Sequence, residues 1–190
     1  MITRVNGVFC DLDGTLVETT QANFAAYRAA LATVGVDFTW DSFLGTWGAD
    51  SREFLPKVAP TLSSREIDHV RSVKARLYPD FLAETTLNHP LLRVLQTWKP
   101  TAQVLLVTTA KRANVSAVLA HHGLEDLFAA VVTGEDTERS KPHPAPYLRA
   151  LEITGLDATE CIAFEDSAAG IASARGAGVD VVRVGWPDAA

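Results

Sequence analysis

Of 190 residues only two are cysteine, Cys10 and Cys161. No Cys-x-x-Cys spacing exists, which excludes the usual thiolate zinc sites, and two thiols make no disulfide-built scaffold. Each lies in an apolar stretch without a basic neighbour. Both therefore read as small core residues of a protein in a reducing compartment, not as catalytic thiols. Basic residues are also short: 17 Lys and Arg stand against 23 Asp and Glu, a net charge of −6. That balance gives no electrostatic case for nucleic acid or an anionic membrane as partner. Any anion must meet a local site. Long apolar runs are missing too. The one near the start is interrupted by Asp11, so no secretory leader is expected, and nothing approaches a membrane span. A soluble, cytoplasmic protein is the expectation. Internal repeats and low-complexity tracts are absent.

What is present is a globular composition, 47% hydrophobic and 21% charged, enough for one α/β domain with a small second lobe. Val5 to Cys10 is short, β-branched and aromatic with a sharp polar stop, the mark of a buried strand. Helical spacing follows in Phe24, Tyr27, Leu31 and Val34, with Gly35 as the stop. Residues 40–60 are mixed, broken by Gly45, Gly48, Pro56 and Pro60. Ser63 and Glu66 form a capping-box pattern that opens a helix with the stripe Ile67, Val70, Val73, Leu77 and Phe81. Pro90 suits the first turn of another helix, with Leu91, Leu95 and Trp98 behind it. From Gln103 strands and helices alternate: strands at 103–107, 130–132, 161–164 and 179–184, and helices marked by Val115 to Leu119, Tyr147 to Leu151 and Ser167 to Gly176. Such alternation implies right-handed crossovers and a parallel sheet covered on both faces. The helical block after the first strand reads as an insertion, with candidate hinges near 16–20 and 85–90.

The stretch Val-Phe-Cys-Asp-Leu-Asp-Gly-Thr-Leu, residues 8–16, ends an apolar run in two carboxylates one residue apart. Polar groups recur where other strands stop. Thr108 and Thr109 end the second, Glu165 and Asp166 end the fourth, and Lys141 precedes the helix between the third and fourth. Ligands of open parallel sheets bind outside the carboxyl ends of the strands, so these groups are expected at one edge. Asp11, Asp13, Glu165 and Asp166 against Lys141 leave an excess of about three negative charges, and each like-charge pair near 4 Å costs on the order of 4 kcal/mol at intermediate dielectric. A divalent cation relieves this, and an all-oxygen ligand set suits Mg²⁺. One strand-end carboxylate can attack phosphorus, and a second can protonate the leaving oxygen and later activate water. Gly14 permits a tight turn whose amides face an anion. A Thr108 hydroxyl can hold a phosphoryl oxygen while Lys141 neutralises shared charge.

Asp-Leu-Asp-Gly-Thr at 11–15, the strand-end Thr108, Lys141 in Ser-Lys-Pro-His-Pro, and Glu165-Asp166-Ser167 resemble, in order, the four motifs of the haloacid dehalogenase superfamily of phosphatases. The run from Phe164 to Gly178 is similar to members with a helical cap after the first motif. The resemblance spans the whole chain. It implies a Rossmann-like, doubly wound α/β core over residues 1–15 and 89–190, with five parallel strands and the first strand central beside the fourth. It implies an inserted helical cap over 16–88 that closes over substrate. Asp11 becomes the nucleophile and Asp13 the general acid/base. Mg²⁺ would be held by Asp11, the backbone carbonyl of Asp13, and Asp166, with Glu165 assisting directly or through water. Thr108 is the side-chain contact and Thr109 a backbone one. Arg52, beside a glycine-containing loop, is either a contact for a remote anionic group of the substrate or a solvated cation.

The expected function is a Mg²⁺-dependent phosphomonoester hydrolase for a small phosphorylated metabolite, acting as monomer or homodimer. Having both Asp11 and Asp13 disfavours the dehalogenases and the C–P bond-cleaving members. A sugar phosphomutase similar to β-phosphoglucomutase fits the same motifs, but Asn23 stands where that enzyme's cap carries a histidine. A non-catalytic binding protein on the same fold is the third reading. His143 is read as solvent-facing, His121 and His122 as helix-end cations, and Trp40, Trp47 and Tyr78 as packing. A cis Lys141–Pro142 bond is open to the proline-rich loop. Trp186 either closes the sheet edge or meets another subunit.

Overall fold

The computed structural model describes residues 4–46 and 51–186. It has two compact units: one formed by the chain up to Glu18 and from Thr86 onward, the other by Thr19–Thr85. In chain order come β1 (Gly7–Cys10) and the two-residue β2 (Val17–Glu18). The helical unit holds α1 (Thr20–Ala32), α2 (Trp40–Leu44), α3 (Ser51–Val58), α4 (Ser64–Leu77) and a 3₁₀ segment, Tyr78–Glu84. The first unit resumes with β3 (Thr86–Leu87), α5 (His89–Trp98), β4 (Gln103–Val107), α6 (Arg112–His122) and β5 (Ala130–Val132). It ends with α7 (Ala145–Thr154), β6 (Cys161–Glu165), α8 (Ala168–Gly176) and β7 (Asp180–Arg183).

The five long strands form one parallel sheet in the order β5-β4-β1-β6-β7. β1 is central, and all four of its residues are buried. Alternate residues of a strand face opposite sides. Phe9, Leu105, Val107 and Ala163 join Tyr147 and Ala150 of α7 and Ala174 of α8 in one core. Val104 and Leu106, one residue out of phase, are also buried, and α5 packs on β4 with Leu91 and Leu95 buried. Strands covered on both faces explain why 103–107 and 161–164 read as apolar runs instead of alternating. Both cysteines are free and buried in this unit. Burial pushes the Cys10 thiol well above its ordinary value and the Cys161 thiol to about 11, so neither is a thiolate at neutral pH. Among the described residues no helix is long and apolar enough to cross a membrane.

Asp136 fastens the loop after β5 to the start of α6. Its Oδ2 accepts from the Thr133 amide and hydroxyl, both at 2.7 Å, and from Arg112 Nη2 at 2.6 Å. Burial opposes the charge on Asp136, but the Thr133 donors and Arg112 outweigh it and hold the carboxyl below its ordinary value. Stability from a depressed carboxylate is full above the unfolded-state pKa and is lost as pH falls through the folded one. Asp136→Ala is therefore expected to lower stability by about 1 kcal/mol at pH 7 and to lessen the loss of stability below about pH 4. Urea unfolding across that range is the check, and an unchanged acid limb would contradict the assignment.

The helical unit has its own core, built from Ala30, Leu31, Phe38, Phe43, Phe54, Leu55, Val70 and Val73. The Phe24 ring meets Trp40 edge-on at 5.0 Å and Phe43 at 5.5 Å, and Tyr78 is buried, so Trp40 and Tyr78 are packing residues. Trp47 lies outside the described residues. The Ser63–Glu66 capping box opens α4. The helix stops at Leu77, before Phe81, because Pro79 brings no amide hydrogen and its ring crowds the carbonyl four residues back. In the tighter 3₁₀ turn Leu82 takes the buried place. Residues 16–18 and 86–88, read from the sequence as part of the insert, belong to the first unit. There β2 and β3 pair antiparallel, and Asn88 donates to the Leu16 carbonyl at 2.8 Å and the Thr15 carbonyl at 3.1 Å.

Candidate active site

The carboxyl ends of β1, β4 and β6 bring the strand-end groups together. Parallel register pairs Cys10 with Leu106 on one side and with Phe164 on the other, so Asp11, Val107 and Glu165 follow at the same level. The Asp11 amide continues the ladder by donating to the Phe164 carbonyl at 3.0 Å. Into this row comes Lys141. Its ammonium donates to Asp11 Oδ1 at 2.6 Å, Glu165 Oε1 at 2.5 Å and the Val107 carbonyl at 2.8 Å. An ammonium has three protons, and each has an acceptor here. Burial works against the charge on Lys141, but Asp11 and Glu165 outweigh it and raise its pKa. Lys141 therefore stays a cation and serves as a fixed positive charge, not as a base.

Glu165 is fully buried. Burial first, then the charge of Asp11, pushes its carboxyl up to about 7, against the opposing pull of Lys141. The Tyr147 hydroxyl donates to Glu165 Oε1 at 2.6 Å, while Oε2 is buried without a hydrogen-bond partner. Asp166 is half-buried; burial and Asp11 raise its pKa, and the Thr15 hydroxyl donates to its Oδ1 at 3.1 Å. Gly14 has φ +84°, and a Cβ there would stand 2.4 Å from Asp166 Oδ2. Only glycine allows both the turn and that approach.

The Asp11, Glu165 and Asp166 carboxylates offer one oxygen each within 4.8 Å of one another. Three acidic groups around one lysine leave uncompensated negative charge, and an orphaned buried carboxylate oxygen costs free energy. A hard cation would answer the charge, and this all-oxygen set fits one, although Glu165 Oε2 itself faces Gly170 of α8.

Thr108 lies at the end of β4, buried, with its hydroxyl accepting from the Ala110 amide at 3.1 Å. Thr109 is exposed, and its carbonyl lies 2.3 Å from where a Gly134 Cβ would stand. Asp13 follows β1 in the turn before β2, half-buried and bridged to Val17. Arg52 is exposed on α3, in the helical unit. The Lys141–Pro142 bond is cis. His143, read from the sequence as solvent-facing, is held in its loop. It is half-buried, its Nδ1 accepts from the Ala145 amide at 3.1 Å, and its carbonyl accepts from Ser173 Oγ at 2.6 Å. Those bonds hold the loop that aims Lys141. Sequence reading missed Tyr147 as a support of this edge, and gave Thr15 no role of its own although it stands in the first motif; of the two readings of Trp186, the structure shows its indole on the Gly14 carbonyl at this edge. Sequence reading also missed Lys74, buried in the helical unit, which donates to Asn23 Oδ1 at 2.7 Å and stands 4.2 Å from the Tyr78 ring centre.

A Cβ on Gly170 of α8 would lie 1.9 Å from Glu165 Oε2 and 2.1 Å from its carboxyl carbon. Glu165 cannot turn away without leaving Lys141 and Tyr147. Gly170→Ala is expected to destabilise by about 3 kcal/mol, seen as a lower urea midpoint. A midpoint equal to wild type would show that Glu165 has room to move.

The family model described as haloacid dehalogenase-like hydrolase matches residues 8–184. The chain belongs to the haloacid dehalogenase-like hydrolases. Within them it sides with the phosphatases and phosphoglucomutases. It is 32% identical over 192 residues to protein CbbY of Rhodobacter capsulatus, covering 94% of this chain and 85% of that one. It is 28% identical over 186 residues to fructose-1-phosphate phosphatase YqaB of Escherichia coli (strain K12), covering 97% of this chain and 98% of that one. A crystal structure described as a predicted phosphoglycolate phosphatase from Haemophilus somnus 129pt superposes with a TM-score of 0.86 at 25% identity, covering 96% and 86% of the two chains. The five-stranded parallel sheet with its helices is thus the fold of a haloacid dehalogenase-like hydrolase.

Proposed function

We propose that this chain is a Mg²⁺-dependent phosphomonoesterase for a small phosphorylated metabolite, working through a phosphoryl group carried on Asp11. The observation that carries the reading is the seat of Asp11. Its carboxylate ends the central strand with one oxygen fixed 2.6 Å from the Lys141 ammonium, which leaves the other oxygen for phosphorus. In the first half-reaction that oxygen attacks phosphorus and the phosphorus–oxygen ester bond breaks. Asp13, as the acid, gives its proton to the leaving alkoxide. In the second half-reaction the Asp13 carboxylate takes a proton from water. The water oxygen attacks the same phosphorus, and Asp11 departs as a carboxylate with inorganic phosphate. The Thr108 hydroxyl holds a non-bridging oxygen, and the fixed charge of Lys141 offsets the charge on the transferred group. Asp11, the Asp13 carbonyl and Asp166 would hold Mg²⁺, with Glu165 beside them; when bound it supplies charge neutralisation for the two anions that must meet. The helical unit, Arg52 among its residues, would select the rest of the substrate and act as the cap.

The test is phosphate release from a panel of fructose 1-phosphate, other sugar phosphates, phosphoglycolate, nucleoside monophosphates and p-nitrophenyl phosphate, with Mg²⁺ and with EDTA. The E. coli relative is named for fructose 1-phosphate, which puts sugar phosphates first. Release that requires Mg²⁺ is expected. Glucose 1-phosphate with a trace of its bisphosphate, isomerised faster than phosphate is released, would replace this reading with a mutase. Release undiminished by EDTA would remove the metal from it.

A further inference from the structure

We infer that Trp186 is a positioning residue for the turn that carries Asp13; the inference rests on the phosphatase reading above. Trp186 lies three residues past β7, and its indole N–H donates to the Gly14 carbonyl at 2.6 Å. The sequence separation is 172 residues. It also lies beyond residues 8–184, the stretch matched by the family model.

The carbonyl it grips belongs to the peptide between Gly14 and Thr15. That peptide lies in a tightly wound turn, its N–H held by a long 3.3 Å bond to the Leu12 carbonyl and its C=O by the indole. The Leu12 carbonyl accepts from the amides of Thr15, Leu16 and Val17, and the Gly14 amide donates to Val17. Gly14, at φ +84°, is the one residue of the turn in the left-handed region, where glycine has the widest freedom. Asp13 precedes that glycine and Thr15 follows it. Thr15 is fully buried and its hydroxyl holds Asp166. Rotation of the Gly14–Thr15 peptide would therefore disturb Asp13 on one side and the Thr15–Asp166 bond on the other. The indole N–H opposes that rotation. Half-burial of Trp186 lowers competition from water for the same carbonyl.

A residue that orients the acid has a signature that one merely supporting the fold lacks. Phenyl phosphate and p-nitrophenyl phosphate place the same ring in the site, but the nitrophenolate leaves without a proton and phenolate leaves far more readily with one. Measured as kcat/KM, which reports the first phosphoryl transfer, Trp186→Phe is expected to lose roughly tenfold on phenyl phosphate and less than about threefold on p-nitrophenyl phosphate. A second form of the protein carries benzothienylalanine at 186, which keeps the shape of tryptophan and lacks only the N–H. It should show the same split with an unchanged melting temperature. Asp13→Asn, run alongside, should show the split in larger form, roughly a hundredfold or more on phenyl phosphate.

The split in Asp13→Asn without it in either Trp186 form would overturn the assignment of Trp186 and leave the acid in place. Equal losses on both esters in the benzothienylalanine form would make Trp186 a structural residue only. No split in Asp13→Asn, or no turnover of either ester by the unaltered protein, would overturn the phosphatase reading, and the role of Trp186 with it.

Discussion

Asp11→Asn is expected to lower phosphate release by roughly 10⁴-fold or more while leaving the fold intact. The amide keeps the shape of the carboxylate, and its oxygen can still accept from Lys141, 2.6 Å away in the native site. What it loses is the negative charge that makes the free oxygen a nucleophile. The fold should not suffer, because Asp11 is itself a source of strain among acids. Its charge helps push Glu165 up to about 7 and also raises Asp166. Removing it relieves both, so the melting temperature is expected to match or exceed that of the native protein. Loss of activity without loss of stability separates a nucleophile from a structural carboxylate. Retention of phosphate release by a folded Asp11→Asn protein would remove Asp11 from the role of nucleophile.

Lys141→Met should give the opposite pairing, with stability and activity falling together. Methionine roughly fills the volume but leaves Asp11 and Glu165 without their shared cation and the Val107 carbonyl without a donor. Removing one partner of a buried ionic cluster costs about 3–5 kcal/mol, which for a chain of this size lowers the melting temperature by roughly 10 °C. Activity should fall by at least roughly 10³-fold, since the charge on the transferred phosphoryl group loses its counterion. Adding Glu165→Gln removes the acid left most exposed to this loss. The double variant is expected to regain about half of the lost stability and none of the activity. Scanning calorimetry with the phosphate assay reads both. A double variant no more stable than Lys141→Met would mean that Lys141 supports the fold through packing and not through charge.

Much of this site was legible because its groups sit where the strands stop. A strand end is visible in sequence as an apolar run meeting a polar residue, and parallel strands place such ends along one edge. Asp11, Thr108, Glu165 and Lys141 could be gathered in this way before any coordinates, while the central place of β1 came only through the resemblance to the haloacid dehalogenase superfamily. The supports could not. Tyr147 reaches Glu165 through the third position of a helix whose pattern shows only its apolar face. Trp186 reaches Gly14 across nearly the whole chain. Lys74, in the last turn of α4, carries no mark of burial in the sequence, and it is buried because Asn23 and two tyrosines surround it. The two-residue strands β2 and β3 are too short for any periodicity to announce them. Phe81 fitted the spacing of α4, but Pro79 ended the helix before the spacing could apply.

Acid quench during turnover of fructose 1-phosphate or p-nitrophenyl phosphate, followed by peptide mass analysis, tests the central claim most directly. The account predicts the mass of one phosphoryl group on the peptide that contains Asp11, removed by hydroxylamine and absent in Asp11→Asn. Turnover with every peptide unmodified, at quench times short enough to hold an acyl phosphate and with slow dephosphorylation enforced by Asp13→Asn, would contradict it. Phosphate would then pass to water without resting on the protein.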